Sequence, residues 1–195
     1  MSNRLVEKQC QLSMDGCLLV ASPSHPNADT AHDVFMVTWH RPEGSMGMLL
    51  NRSLVADAGN LWEKVLGPEA KKMPCGPVHY GGPLEGPVIA LHDRAELAEA
   101  ETSPGVYIAA QVATLQKLGK SQPNTCRWIV GHAAWNSGEL EKQIQEDWWY
   151  TIPASPELVF APVDEMWIRS VRRAGDYLVG LLSGCHRRPE SGFWN

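Results

Sequence analysis

No apolar run in the sequence approaches the 18 residues that a membrane-crossing helix needs, so a transmembrane helix is excluded. The first residues, MSNRLVEKQCQLSMDG, lack the apolar segment of a secretory signal, and a cytoplasmic location is the expectation. The five cysteines (Cys10, Cys17, Cys75, Cys126, Cys185) are odd in number and never spaced C-x2-C. That pattern favours free thiols over a disulfide, a zinc site or a redox pair. The seven histidines include no H-E-x-x-H, and no metal site is expected. Neither G-x-x-x-x-G-K-[ST] nor G-x-G-x-x-G occurs, and Gly81-Gly82-Pro83 leads into an extended run, not a helix, so no phosphate loop is expected. A G-x-S-x-G nucleophile elbow is also missing, because Glu43 stands two residues before Ser45. No cofactor is expected.

What is present is an ordinary globular balance: 195 residues, 44% hydrophobic and 20% charged, with net charge −5. No internal repeat or long linker divides the chain, so one domain over 1–195 is expected, with its core at about 17–182 and a tail at 183–195. Charge is uneven, since residues 166–195 carry 5 arginines against 2 acids. A solvated helix face plus a tail accounts for that end; direct nucleic-acid binding needs a denser basic surface.

Short apolar, β-branched or aromatic runs predict strands at 17–21, 33–39, 46–50, 77–80, 87–91, 105–109 and 126–130, with HRPEGS turning a hairpin between the second and third. Helical spacing appears at 58–66 behind Asp57, at 111–118 (Val112, Leu115, Leu118) and at 165–174 behind Asp164, with Trp167 and Val171 on one face. In 136–148, Asn136 and Glu139 fit a capping box, and Leu140, Ile144 and Trp148 form an apolar stripe. Glu139 and Glu141 suit the first turn, and Lys142–Glu146 is an i,i+4 pair. Strands outnumber helices without alternating with them, which gives an α+β chain: a mixed, largely antiparallel sheet flanked by helices.

Two residues of that segment keep a functional reading. His132 follows the apolar strand at Gly131, where acid–base residues are often placed, and Trp135 could stack on a ligand or plug the core. An exposed tryptophan such as Trp149 or Trp194 would hint at an interaction surface.

Several blocks in order resemble the YqgE/AlgH family of small bacterial proteins: Gly44-Ser45-Met46-Gly47-Met48-Leu49-Leu50-Asn51-Arg52, then Gly81-Gly82-Pro83-Leu84 with Ala90-Leu91-His92. They continue with Gly131-His132-Ala133-Ala134-Trp135, Gly138-Glu139-Leu140-Glu141, Trp149 with Pro153, and Trp167, so the resemblance covers residues 17–175. The chain departs from the pattern at Ser24-His25-Pro26-Asn27, where the family has D-P-x-F, at Ser53 in place of proline, and at His132 in place of tyrosine. The resemblance implies a single α+β domain and no agreed activity; some members are labelled transcriptional regulators, but no helix-turn-helix or basic recognition helix is found here.

These readings converge on a non-enzymatic binding or regulatory protein whose partner is a protein or small molecule. Its expected surface joins the Gly44–Arg52 hairpin to the His132–Asn136 loop, with Asn51, Arg52, His132, Trp135 and Asn136 as binding residues. Arg52 would be the anion or partner contact, or else a fixed ion pair with an acid such as Asp57. A second expectation is a small hydrolase or acid–base enzyme using His132, with Asn51 or Asn136 orienting substrate. A third is DNA binding by the Arg169–Arg188 end.

Overall fold

The computed structural model describes residues 14–54, 63, 77–121 and 125–182. Nine strands form one sheet in the order β6-β7-β5-β8-β3-β2-β1-β9, with β4 paired to β8 off that path. The strands are β1 (Cys17–Ala21), β2 (Val34–Arg41), β3 (Gly44–Leu49), β4 (Val78–Tyr80), β5 (Leu84–His92), β6 (Ala100–Ser103), β7 (Val106–Ala109), β8 (Cys126–Asn136) and β9 (Trp149–Pro153). Only β4–β8 is parallel among these pairs, so the sheet is mixed and largely antiparallel. The helices are α1 (Val112–Ser121), α2 (Glu139–Gln145), α3 (Pro156–Val159) and α4 (Val163–Leu182).

Alternation along β1, β2 and β3 sends side chains to two covered faces. Leu18, Val20, Val34, Met36, Met48 and Leu50 pack with Met166 and Ala174 of α4, while Leu19, Phe35, Val37 and Leu49 pack with Leu140 and Ile144 of α2. A third cluster sets Leu115 and Leu118 of α1 on Val88, Ala90 and Trp128. A sheet covered on both faces explains why these strands read as continuous apolar runs. Within α1, Val112 does not share the buried face as its spacing suggested; it is 52% exposed at the first helical position.

The largest difference from expectation is β8. It does not end at Val130 but runs on to Asn136, because its last four residues pair with β3 and gain a backbone ladder. Gly131, at φ 81, is what resembled a turn. Opposite it the β5–β8 register shifts between Leu84 and Val88, so the glycine absorbs an irregularity inside one strand. His132 and Trp135 therefore sit within a strand, not in a loop before a helix.

The capping box forms by half. The Glu139 carboxylate accepts from the Asn136 backbone N–H at 3.0 Å and from its side-chain amide at 3.1 Å, but Asn136 caps nothing. Gly138, at φ 74, is the N-cap instead. Helix α2 then ends at Gln145, with Asp147 at φ 60, and Trp148 lies beyond it, half-buried against the same cluster as Leu140 and Ile144. Trp149 is 6% exposed in β9 and belongs to the core, so it offers no interaction surface. Asp164 lies inside the first turn of α4, which starts at Val163, and so does not cap it. One strand is not legible in the sequence, the polar β6 (AETS), whereas the extended run that Pro153 ends is β9, which pairs all five residues with β1. Of the expected helix at 58–66 only Glu63 is described, and it is helical; the cap Asp57 and the tail at 183–195 lie outside the described residues.

A Cβ on residue 131 would lie 2.8 Å from the Leu84 carbonyl oxygen and 2.9 Å from that of Gly82. Gly131→Ala should therefore lower the unfolding free energy by about 1–3 kcal/mol, combining left-handed strain with that clash. Urea denaturation checks this, and an unchanged midpoint would mean that β8 relaxes without cost.

Candidate functional site

Pairing of β3 with β8 sets Gly44 opposite Asn136, Ser45 opposite Trp135, Met46 opposite Ala134 and Gly47 opposite Ala133. The hairpin and the His132–Asn136 segment, far apart in sequence, are thus neighbours. Directly paired residues share a face, as do residues two apart in one strand. On the outward face Trp39 pairs with Met46, Met46 with Ala134, and His132 with Leu84. Trp39 is 36% exposed, Met46 37% and Leu84 45%. The register shift between Val37 and Trp39 puts Trp39, not Thr38, opposite Met46. Four strands therefore contribute one exposed apolar stripe, with half-buried His132 inside it.

Trp135 points the other way. It is 8% exposed, its indole N–H donates to Gln143 Oε1 at 3.2 Å, and its ring meets Phe35 edge-on at 5.4 Å. Trp149 donates to the same oxygen at 2.8 Å, so one amide of α2 fixes two indoles. Trp135 thus serves the core, and Asn136, though exposed, lends its amide to Glu139.

Asn51 and Arg52 lie elsewhere. Asn51 Oδ1 accepts from the Val34 backbone N–H at 2.9 Å, and its Nδ2 donates to the His32 carbonyl at 2.7 Å, tying β2 to the chain after β3. Arg52 binds Asp33 through Nε (2.9 Å) and Nη2 (2.7 Å) and also reaches the Asp29 carbonyl. Its acid is therefore Asp33; Asp57 lies outside the described residues. Burial raises the Asp33 pKa more than the Arg52 charge lowers it. A cleft of about 670 Å³ beside this pair is lined by His32, Asn51, Ser53, Val163, Asp164 and Trp167, with His32 edge-on to Trp167 at 4.3 Å. His132 does not open into it, so the five expected residues fall into two separate groups.

Three further groups were not singled out from sequence. His40 Nδ1 lies 2.7 Å from Ser45 Oγ, and its Nε2 lies 3.6 Å from Glu141 Oε1, a nucleophile–base–acid series. Ser45 is only 2% exposed and stands in a strand paired on both sides, which leaves no room for a substrate carbonyl. The series instead ties the hairpin to α2. Arg127 is 6% exposed and donates to the carbonyls of Leu50 (2.8 Å), Val159 (3.0 Å) and Ala161 (2.7 Å). Burial lowers its pKa to about 10. His79 is 4% exposed, with Nδ1 3.1 Å from the Trp128 carbonyl; burial and then the Arg127 charge lower its pKa from 6.5 to about 4. Only Arg127 left a trace in the sequence, as a charge inside the apolar run CRWIV. No cluster of three or more His, Cys, Asp or Glu fit to hold a metal occurs among the described residues.

Two outcomes follow. A fluorophosphonate probe should leave Ser45 unmodified in the folded protein, as read by mass spectrometry; stoichiometric labelling would reopen the hydrolase reading. His79 gives a pH dependence. Below about pH 6.5 the unfolded chain takes up a proton that folded His79 refuses until about pH 4, so its stabilisation is full above 6.5 and fades toward 4. The loss is on the order of 3 kcal/mol. Urea midpoints of the native chain and of His79→Gln should converge as pH falls from about 7 to 4.5; parallel curves would show that His79 is not the group.

Comparison with known proteins gives a consistent result. The family model described as AlgH-like, itself a family of unknown function, matches residues 18–178. A UPF0301 protein of Chlorobium luteolum is 32% identical over 170 residues, covering 83% of this chain and 87% of that protein. One from Chlamydia caviae is 31% identical over 174 residues, covering 85% and 89%. The solution structure of AlgH from Pseudomonas aeruginosa superposes with a TM-score of 0.69 at 20% identity, covering 90% of this chain and 96% of that one. A crystal structure of a protein from Corynebacterium diphtheriae gives 0.66 at 24% identity, covering 81% and 85%. At these identities the two structures speak for the fold alone. With its nine-stranded sheet, its ordered blocks and a family match over most of its length, the chain belongs to the YqgE/AlgH family.

Proposed function

We propose that this is a cytoplasmic binding protein with a regulatory role, working through the outward stripe of Trp39, Met46, Ala134, His132 and Leu84. One observation carries the reading: α2, α1 and α4 cover the three apolar clusters of the sheet, whereas this end keeps large apolar side chains in contiguous register at 36–45% exposure. Two register irregularities flank the stripe, an arrangement that costs ladder hydrogen bonds and serves to aim side chains outward.

The partner is a protein segment that presents an aliphatic or aromatic side chain. At a strand spacing of about 4.8 Å the stripe is roughly 15 Å wide, the scale of a transient protein contact. His132 contributes the polar group that orients the partner. A regulatory role would be exercised through that partner and not through DNA, since the chain is net negative and Arg169, on the helix proposed for phosphate contacts, is held by Glu165. The acid–base reading of His132 lacks support, since its ring has no carboxylate or nucleophile bonded to it among the described residues.

A photo-crosslinking amino acid placed at Met46 or Leu84 in native cells tests the surface. The expected result is a discrete protein adduct at both positions, none at the equally apolar exposed controls Val112 and Val179, and loss of the adduct in Trp39→Glu. Trp39→Glu should cost about 1–3 kcal/mol, because the ring is only 36% exposed, so circular dichroism should confirm that the variant is folded before the adduct is read. Equal adducts at all four positions would end the proposal.

A further inference from the structure

Arg127 is the only buried cation among the described residues, and the one buried acid, Asp33, is taken by Arg52. A buried charge normally has an opposite charge beside it, because removing a guanidinium from water is expensive. Here three of the five guanidinium N–H groups go to neutral carbonyls, and one N–H on each of Nη1 and Nη2 has no acceptor among the described residues. Arg127 also lines an open cavity of about 440 Å³ with Thr125, Cys126, Phe160, Pro156 and Arg169. That volume suits a small metabolite.

The remaining lining sets the sign and size of the ligand. Asp93 and Glu157 stand exposed at the rim, where they weaken the pull on a doubly charged group more than on a singly charged one. Phe160 and Pro156 offer apolar surface for a carbon body. We propose that this cavity binds a small monocarboxylate whose carboxylate accepts from the two remaining Arg127 N–H groups. The site lies at the α3–α4 junction and shares no residue with the stripe, so the two proposals stand or fall separately. Carboxylate and guanidinium meet in forked, charge-assisted bonds, which would complete the ring of acceptors already formed by Leu50, Val159 and Ala161.

The test follows the Arg127 side-chain Nε–Hε resonance of ¹⁵N-labelled protein during titration with acetate, phenylacetate and inorganic phosphate at constant ionic strength. Arg127→Lys assigns the resonance by its disappearance. The expected result is a saturable shift with both carboxylates, tighter for phenylacetate than for acetate, and weaker binding of phosphate. Two exposed variants keep the result interpretable if Arg127 variants fail to fold. Glu157→Lys should tighten phenylacetate binding, and Arg169→Glu should loosen it, each by about twofold to fivefold. No saturable shift, indifference to both exposed variants, or phosphate binding tighter than both carboxylates would each overturn the assignment.

Discussion

Strand β8 is hydrogen-bonded along both of its edges, and the other layers are placed by that ladder. One edge carries β5; the other carries β4 alongside Trp128–Val130 and β3 alongside Ala133–Asn136. Because side chains alternate with a period of two, the register of this strand decides which residues meet α1, α2 or solvent. Trp128 goes under α1 and Trp135 under α2, and between them Gly131 lets the strand change pairing without ending. The exposed stripe, the Arg127 clamp and the Gln143-bound indoles all take their positions from this one strand.

Charge is handled in two ways. Where acids and bases meet near the surface, as in Arg169–Glu165 or Arg94–Glu96, the pairs are exposed and contribute little. Inside, polar groups act as ties between backbone segments: Asn51 joins the chain after β3 to Val34 and His32, and Arg127 joins β8 to Leu50, Val159 and Ala161. Each carries several hydrogen bonds to main chain, so truncating one strands several partners at once.

Elements that local pattern decides are legible in the sequence. The apolar β-branched runs, the hairpin around HRPEGS and the α+β class were legible because strand alternation and turn chemistry act over a few residues. Elements that tertiary pairing decides are not. Gly131 looks like a turn until β3 supplies a ladder for the residues beyond it; AETS is too polar to announce a strand; Asn136 looks like a cap until the helix starts two residues later at a left-handed glycine. Among the site residues, the nearness of the hairpin to His132–Asn136 could be expected from the ordered blocks, but facing could not. Only strand register shows that Trp135 points inward and Ala134 outward, that Arg52 meets Asp33, and that His40 and Glu141 approach Ser45.

The pairing of β1 with β9 matters for how the chain is made. The first strand, Cys17–Ala21, finds its outer neighbour only in Trp149–Pro153. During synthesis, an apolar edge made of Leu18, Leu19 and Val20 waits with unpaired main-chain groups until more than three-quarters of the sequence has left the ribosome. Such a protein completes its core late in translation, and interrupted chains that stop before residue 149 carry a sticky strand instead of a shorter working domain.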